Sequence, residues 1–180
     1  MALWGALLTV VAEAGRVCIG LVFLLAAVQK SQAWRLLPGV VANYRLLPGW
    51  AVLPTAALLP PLELLLAISL LSAQVRPWPE LAAIALLMLF AAAMAINIAR
   101  GRVDIDCGCG QAFLAQHLSR PLVARNLVLA GLLLPSLLPS APVPMSAALS
   151  GMAAGLGFFL LYLLFNLFSA LPATGARRFA

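Results

Sequence analysis

Leu81-Ala82-Ala83-Ile84-Ala85-Leu86-Leu87-Met88-Leu89-Phe90-Ala91-Ala92-Ala93-Met94-Ala95-Ile96-Asn97-Ile98 decides the fold, because a single polar side chain, Asn97, interrupts it and only near its end. A helix needs about 20 apolar residues to cross the hydrocarbon of a bilayer. The run lacks the apolar/polar alternation of a barrel strand, so it reads as a membrane-spanning helix. Its alanines and methionines suit close packing inside a bundle better than a face turned to lipid.

Working outward, the rest of the chain repeats the pattern. Of 180 residues 64% are hydrophobic and 9% charged, with a mean hydropathy of +1.09; soluble domains are roughly 45–50% apolar and 25% charged. Five spans are expected, at about residues 4–28, 50–71, 81–98, 122–138 and 145–170. They make one integral membrane domain over residues 1–180: an all-α polytopic helical bundle with four helices at its core, and no soluble domain. The net charge of +6 comes from basic residues that lie almost entirely between or beyond the apolar runs. That placement suits lipid headgroups and topology and implies no nucleic-acid partner. Ala12-Glu13-Ala14 resembles a signal-peptidase site, but Met1-Ala2-Leu3-Trp4 has no positive n-region, so cleavage is not expected.

Several polar residues fall inside the spans. Glu13 and Arg16, three apart, share a helix face and can pair; at a membrane edge the pair anchors the helix. Cys18 is read either as a small buried hydrophobe or as a redox relay. Lys30 to Gly49 is the first loop, where Arg35-Leu36-Leu37-Pro38-Gly39 returns as Arg45-Leu46-Leu47-Pro48-Gly49, two apolar turns each ending in a Pro-Gly break. Pro54, Pro60 and Pro61 should kink the second span. Glu63 follows them, either as an acceptor in the first turn of the resumed helix or as a proton- or ligand-handling carboxylate. Gln111–Arg120 is polar enough for a short surface helix. Gly151 and Gly155 give the last span a small-residue contact face.

The chemistry concentrates just beyond the opening run, in Asn97-Ile98-Ala99-Arg100-Gly101-Arg102-Val103-Asp104-Ile105-Asp106-Cys107-Gly108-Cys109-Gly110. A disulfide between Cys107 and Cys109 closes a very small ring, which Gly108 permits. Strained disulfides are the labile ones, and so small a ring removes little chain entropy, so the pair suits exchange better than stapling. Arg100 and Arg102 favour thiolate, and Asp104 and Asp106 oppose it. Two other readings stay open: a structural turn with incidental cysteines, and zinc held by Cys107, Cys109, His117 and an aspartate. The zinc spacing is unfamiliar, and no metal is expected.

This motif, with Leu118-Ser119 and Leu122-Val123-Ala124-Arg125-Asn126-Leu127 after it, resembles the methylamine utilisation protein MauE family, membrane proteins related to the DoxX-like group. Tyr44-Arg45-Leu46-Leu47-Pro48 and Leu59-Pro60-Pro61-Leu62-Glu63 extend the resemblance over most of the chain. It implies a bacterial cytoplasmic-membrane protein that helps form the disulfides of the exported methylamine dehydrogenase small subunit, together with a thioredoxin-like periplasmic partner. Cys107 and Cys109 are then the exchange pair, with Asn97, Arg125 and Asn126 as further motif residues. A quinone would suit a membrane-buried thiol pair, although no motif demonstrates one.

Charge pulls the other way. With five spans, Lys30, Arg35, Arg45, Arg100, Arg102, Arg120, Arg177 and Arg178 fall on one side and Arg76 opposite, which places the cysteine loop in the cytoplasm by the positive-inside rule. The family role places it in the periplasm. The rival functions are a non-catalytic assembly factor that docks the subunit or its partner, and a small transporter built on Glu63.

Overall fold

The computed structural model describes residues 2–72, 77–103, 105, 118–138 and 145–175, with side chains described for all of these except 2–3 and 169–175. It is all-helical: α1 (Ala2–Gln32), α2 (Leu37–Asn43), α3 (Gly49–Ser72), α4 (Trp78–Ala99), α5 (Arg120–Leu132) with a 3-10 turn at Leu134–Leu137, and α6 (Met145–Gly175). Among the described residues, five stretches are long and apolar enough to cross a membrane: Trp4–Gln32, Gly49–Ser72, Trp78–Ala99, Arg120–Leu137 and Met145–Phe168.

α1 is the central helix. It packs against α3 and α6 along its length and against the 3-10 turn after α5, while α4 pairs with α5. Between helices in lipid there is little hydrophobic drive, so close backbone approach must supply the attraction. Glycines provide it here. A Cβ at Gly151 would stand 2.6 Å from Glu13 Cβ, and one at Gly155 2.7 Å from Val17 Cβ, so α6 lies parallel to α1 with nothing between the backbones. At Gly15 a Cβ would collide with the Leu132 carbonyl at the end of α5. The main core gathers Cys18, Ile19, Phe23, Ala67, Leu70 and Leu133. A second cluster, Met94, Leu118 and Leu122, sits at the other end of α4.

Three local expectations change. α1 runs on to Gln32, so Lys30 belongs to its last turn and is buried, not in a loop; a carboxylate on α3 receives its ammonium, which removes the reason for the helix to end before it. α3 is one continuous helix through Pro54, Pro60 and Pro61, so Glu63 lies in its interior and not in the first turn of a resumed helix. The repeated Leu-Leu-Pro-Gly units start helices: Pro38 lies in the first turn of α2 and Pro48 stands just before α3. Proline is pre-set for a helix start and lacks an N–H that would be orphaned there. The chain reverses between α2 and α3 with Arg45 at φ 48°, a strained value for a side-chain-bearing residue. Of the stretch expected as a surface helix, residues 111–117 lie outside the described residues, Leu118 and Ser119 are not helical, and Arg120 opens α5.

Candidate functional site

The Arg-Gly-Arg portion of the motif is a helix terminus. Gly101, at φ 72°, takes the left-handed conformation that glycine adopts without penalty. Gly101 N–H donates to the Ile98 carbonyl at 3.0 Å and Arg102 N–H to the Asn97 carbonyl at 2.9 Å, the paired bonds of a Schellman cap on α4. Asn97 is fully buried; its amide donates to Ala93 O at 3.0 Å, and its Oδ1 accepts from Arg102 Nη1 at 3.2 Å. Arg100 Nη1 approaches the Arg45 carbonyl at 3.5 Å, tying this end of α4 to the reversal before α3. Both arginines therefore have backbone or amide partners of their own.

Asp104, Asp106, Cys107, Cys109 and His117 lie outside the described residues, as do Arg76, Arg177 and Arg178. The flanks of the cysteine stretch are described, and they meet. Leu118 N–H is shared between the Val103 carbonyl at 3.1 Å and the Ile105 carbonyl at 3.2 Å. The described residues on either side of 106–117 are thus joined at one point. That point is packed by the second cluster, where Tyr44 and Ile105 join Met94, Leu118 and Leu122.

Beside it is a cavity of about 360 Å³ between the end of α1, α2, α3 and α4. Tyr44 and Met94 belong both to its wall and to the cluster at the base of the cysteine stretch. The wall is otherwise apolar, with Leu59, Phe90 and Ala93 prominent, except for Thr55 and Lys30. Lys30 Nζ donates to Glu63 Oε1 at 2.6 Å and stands 5.6 Å from the centre of the Phe90 ring. Glu63 is fully buried. The carboxylate singled out in the sequence is therefore half of an ion pair, whose other half, Lys30, stands in the last turn of α1.

A second buried ionic group stands one-sidedly further along α1. Arg16, 2% exposed, bonds Glu13 at 2.9 Å, lies 3.3 Å from Glu80 and donates to the Leu70 carbonyl at 2.5 Å. The i,i+3 pairing with Glu13 is legible in the sequence; the partnership with Glu80 is not, because sixty-odd residues and two helices intervene. Fourteen residues separate Arg16 from Lys30, roughly 21 Å along the helix. These groups lock α1 to α3 and α4 at two levels.

Arg125 and Asn126 do separate jobs. Arg125 Nη1 donates to Asn166 Oδ1 and its guanidinium lies 5.4 Å from the Tyr162 ring centre, joining α5 to α6. Asn126 donates to Leu122 O at 3.2 Å within its own helix. Cys18, 1% exposed, sits in the main core with Ile19 and Phe23 and not in the cluster below the cysteine stretch. The signals sequence reading missed are Glu80, an acidic residue in the first turn of α4, and Asn166, a polar residue inside an otherwise apolar run.

Fold and site together define a multi-pass helical membrane protein with, among the described residues, two buried ionic ties and a capped, polar end of α4 just before the cysteine motif in sequence. The family model of methylamine utilisation protein MauE matches residues 8–139, and the chain belongs to that family. It is 40% identical over 161 residues to methylamine utilization protein MauE of Paracoccus denitrificans, covering 88% of this chain and 87% of that one. With the protein of the same description from Methylophilus methylotrophus the identity is 39% over 162 residues, covering 87% and 84%. With that of Methylorubrum extorquens it is 42% over 128 residues, 69% of each chain. No solved structure matches.

Proposed function

We propose that this protein is a thiol/disulfide exchange protein of the bacterial cytoplasmic membrane, working through Cys107 and Cys109 in the maturation of an exported partner. Within methylamine utilisation that partner is the methylamine dehydrogenase small subunit, and a thioredoxin-like periplasmic protein exchanges with the same pair. The observation that carries the reading is the closed base of the cysteine stretch. Leu118 N–H bridges to Val103 and Ile105, so the residues that flank the cysteine stretch meet at one anchored point. A small CxC disulfide is labile, and exchange needs only an attacking thiolate that can reach it.

The test is labelling of intact cells with a membrane-impermeant maleimide, before and after mild reduction, in a Cys18→Ser background. Labelling that appears only after reduction supports an outward-facing disulfide. Labelling that needs permeabilised cells agrees with the charge bias of the loops and overturns direct exchange with exported substrates. Cys107→Ser and Cys109→Ser are each expected to abolish accumulation of the disulfide-bonded subunit.

One observation favours the assembly-factor reading: Arg100 and Arg102 are engaged with Arg45 and Asn97, so what they build here is a helix end. If both cysteine variants support normal maturation, and changes in the Arg35–Gly49 segment abolish subunit capture, that reading replaces the first.

A further inference from the structure

We infer that the cavity between α2, α3 and α4 binds the head ring of a membrane quinone, a neutral ligand whose carbonyl oxygen accepts a hydrogen bond from Lys30. Three features select this class. The space, about 360 Å³, is of ligand size, and its walls are apolar or aromatic, which excludes a hydrated polar solute. Its one cationic donor is Lys30, buried at 8% exposure, and an ammonium has three N–H groups, of which Glu63 Oε1 takes one at 2.6 Å.

Charge then decides between acceptors. Glu63 already neutralises Lys30, so a fatty-acid carboxylate or a lipid phosphate would add net negative charge to an apolar space, at high desolvation cost. An acyl chain alone would offer the ammonium no acceptor. A compact apolar ring carrying neutral carbonyls satisfies both demands, and Phe90 and Tyr44 supply flat walls for it.

The site's purpose rests on the proposed exchange chemistry. When the Cys107 and Cys109 thiols close to a disulfide they release two electrons and two protons, and the quinone takes up both to become the quinol. Position supports the coupling, since Tyr44 and Met94 wall the cavity and also pack against Ile105 and Leu118 at the two ends of the cysteine stretch.

The experiment uses the full chain in detergent, with decylubiquinone as the probe and isothermal titration calorimetry as the readout. Saturable binding of one quinone per chain is expected. Ala93→Phe, which puts a ring into the cavity and leaves both charged residues in place, and Lys30→Met/Glu63→Gln, which removes donor and counter-charge together, should each weaken it by about tenfold or more. Unchanged thermal melts of both variants establish that they are folded. Cys107→Ser/Cys109→Ser should bind as the parent does. Absence of saturable binding, unaltered affinity in Ala93→Phe, or equal displacement by dioleoylglycerol would each overturn the site. Quinol formation is followed separately by absorbance with pre-reduced protein. Intact binding without quinol would sink the exchange reading and leave the quinone site standing.

Discussion

Breaking the Lys30–Glu63 pair from one side should cost far more than removing it whole. The two groups meet at 2.6 Å, with side chains 9% and 0% exposed. At an effective dielectric of 20 their gross attraction is on the order of 6 kcal/mol, and the desolvation of both ions offsets much of it. A single change strands one buried charge, for which the expected loss is about 3–5 kcal/mol. Lys30→Met and Glu63→Gln should therefore each destabilise by that amount. The double variant, with neither charge, should lie within about 2 kcal/mol of the parent, because neutral replacements of similar volume are tolerated in such sites. The assay is reversible unfolding in mixed micelles, followed by circular dichroism, for the four members of the double-mutant cycle. Additive losses, or single variants within 1 kcal/mol of the parent, would refute the argument and show that water or lipid headgroups reach the pair.

The same reasoning extends to other contacts. Gly155→Leu should separate α6 from α1 and cost about 2 kcal/mol or more in the same unfolding assay, whereas Gly157→Ala, where nothing lies within 4 Å of the added atom, should be neutral. Arg16→Met removes the cation that Glu13 and Glu80 share, and should lower stability more than Glu13→Gln does; equal losses would show that Glu80 does not depend on Arg16. Cys18, buried in the core, should stay unmodified by maleimide in the folded micellar protein and react once sodium dodecyl sulfate unfolds it. Gly101→Ala forces a positive φ onto a residue with a Cβ and should cost about 1 kcal/mol, seen also as faster amide exchange at Arg102.

The sequence alone determined that this chain forms membrane-spanning helices, and how many, because helix spans are written in local hydropathy: twenty apolar residues have to satisfy their backbone within themselves. It also showed the cysteine motif and the MauE resemblance, since both are strings of neighbouring residues, and it suggested the Glu13–Arg16 pairing from helical spacing. Tertiary structure decided the partners of the isolated polar residues. Nothing near Glu63 in sequence announces Lys30, thirty-three residues earlier; nothing near Arg16 announces Glu80; nothing near Arg125 announces Asn166. Each is one polar group on an apolar helix, and only the assembled bundle, in which α1 packs on α3 and α6 and α4 on α5, brings the matching charge or amide within reach of it. The cavity beside Ile105 and Leu118 is of the same kind: its residues come from four separated segments, so its shape and its single ammonium exist only once the helices have assembled.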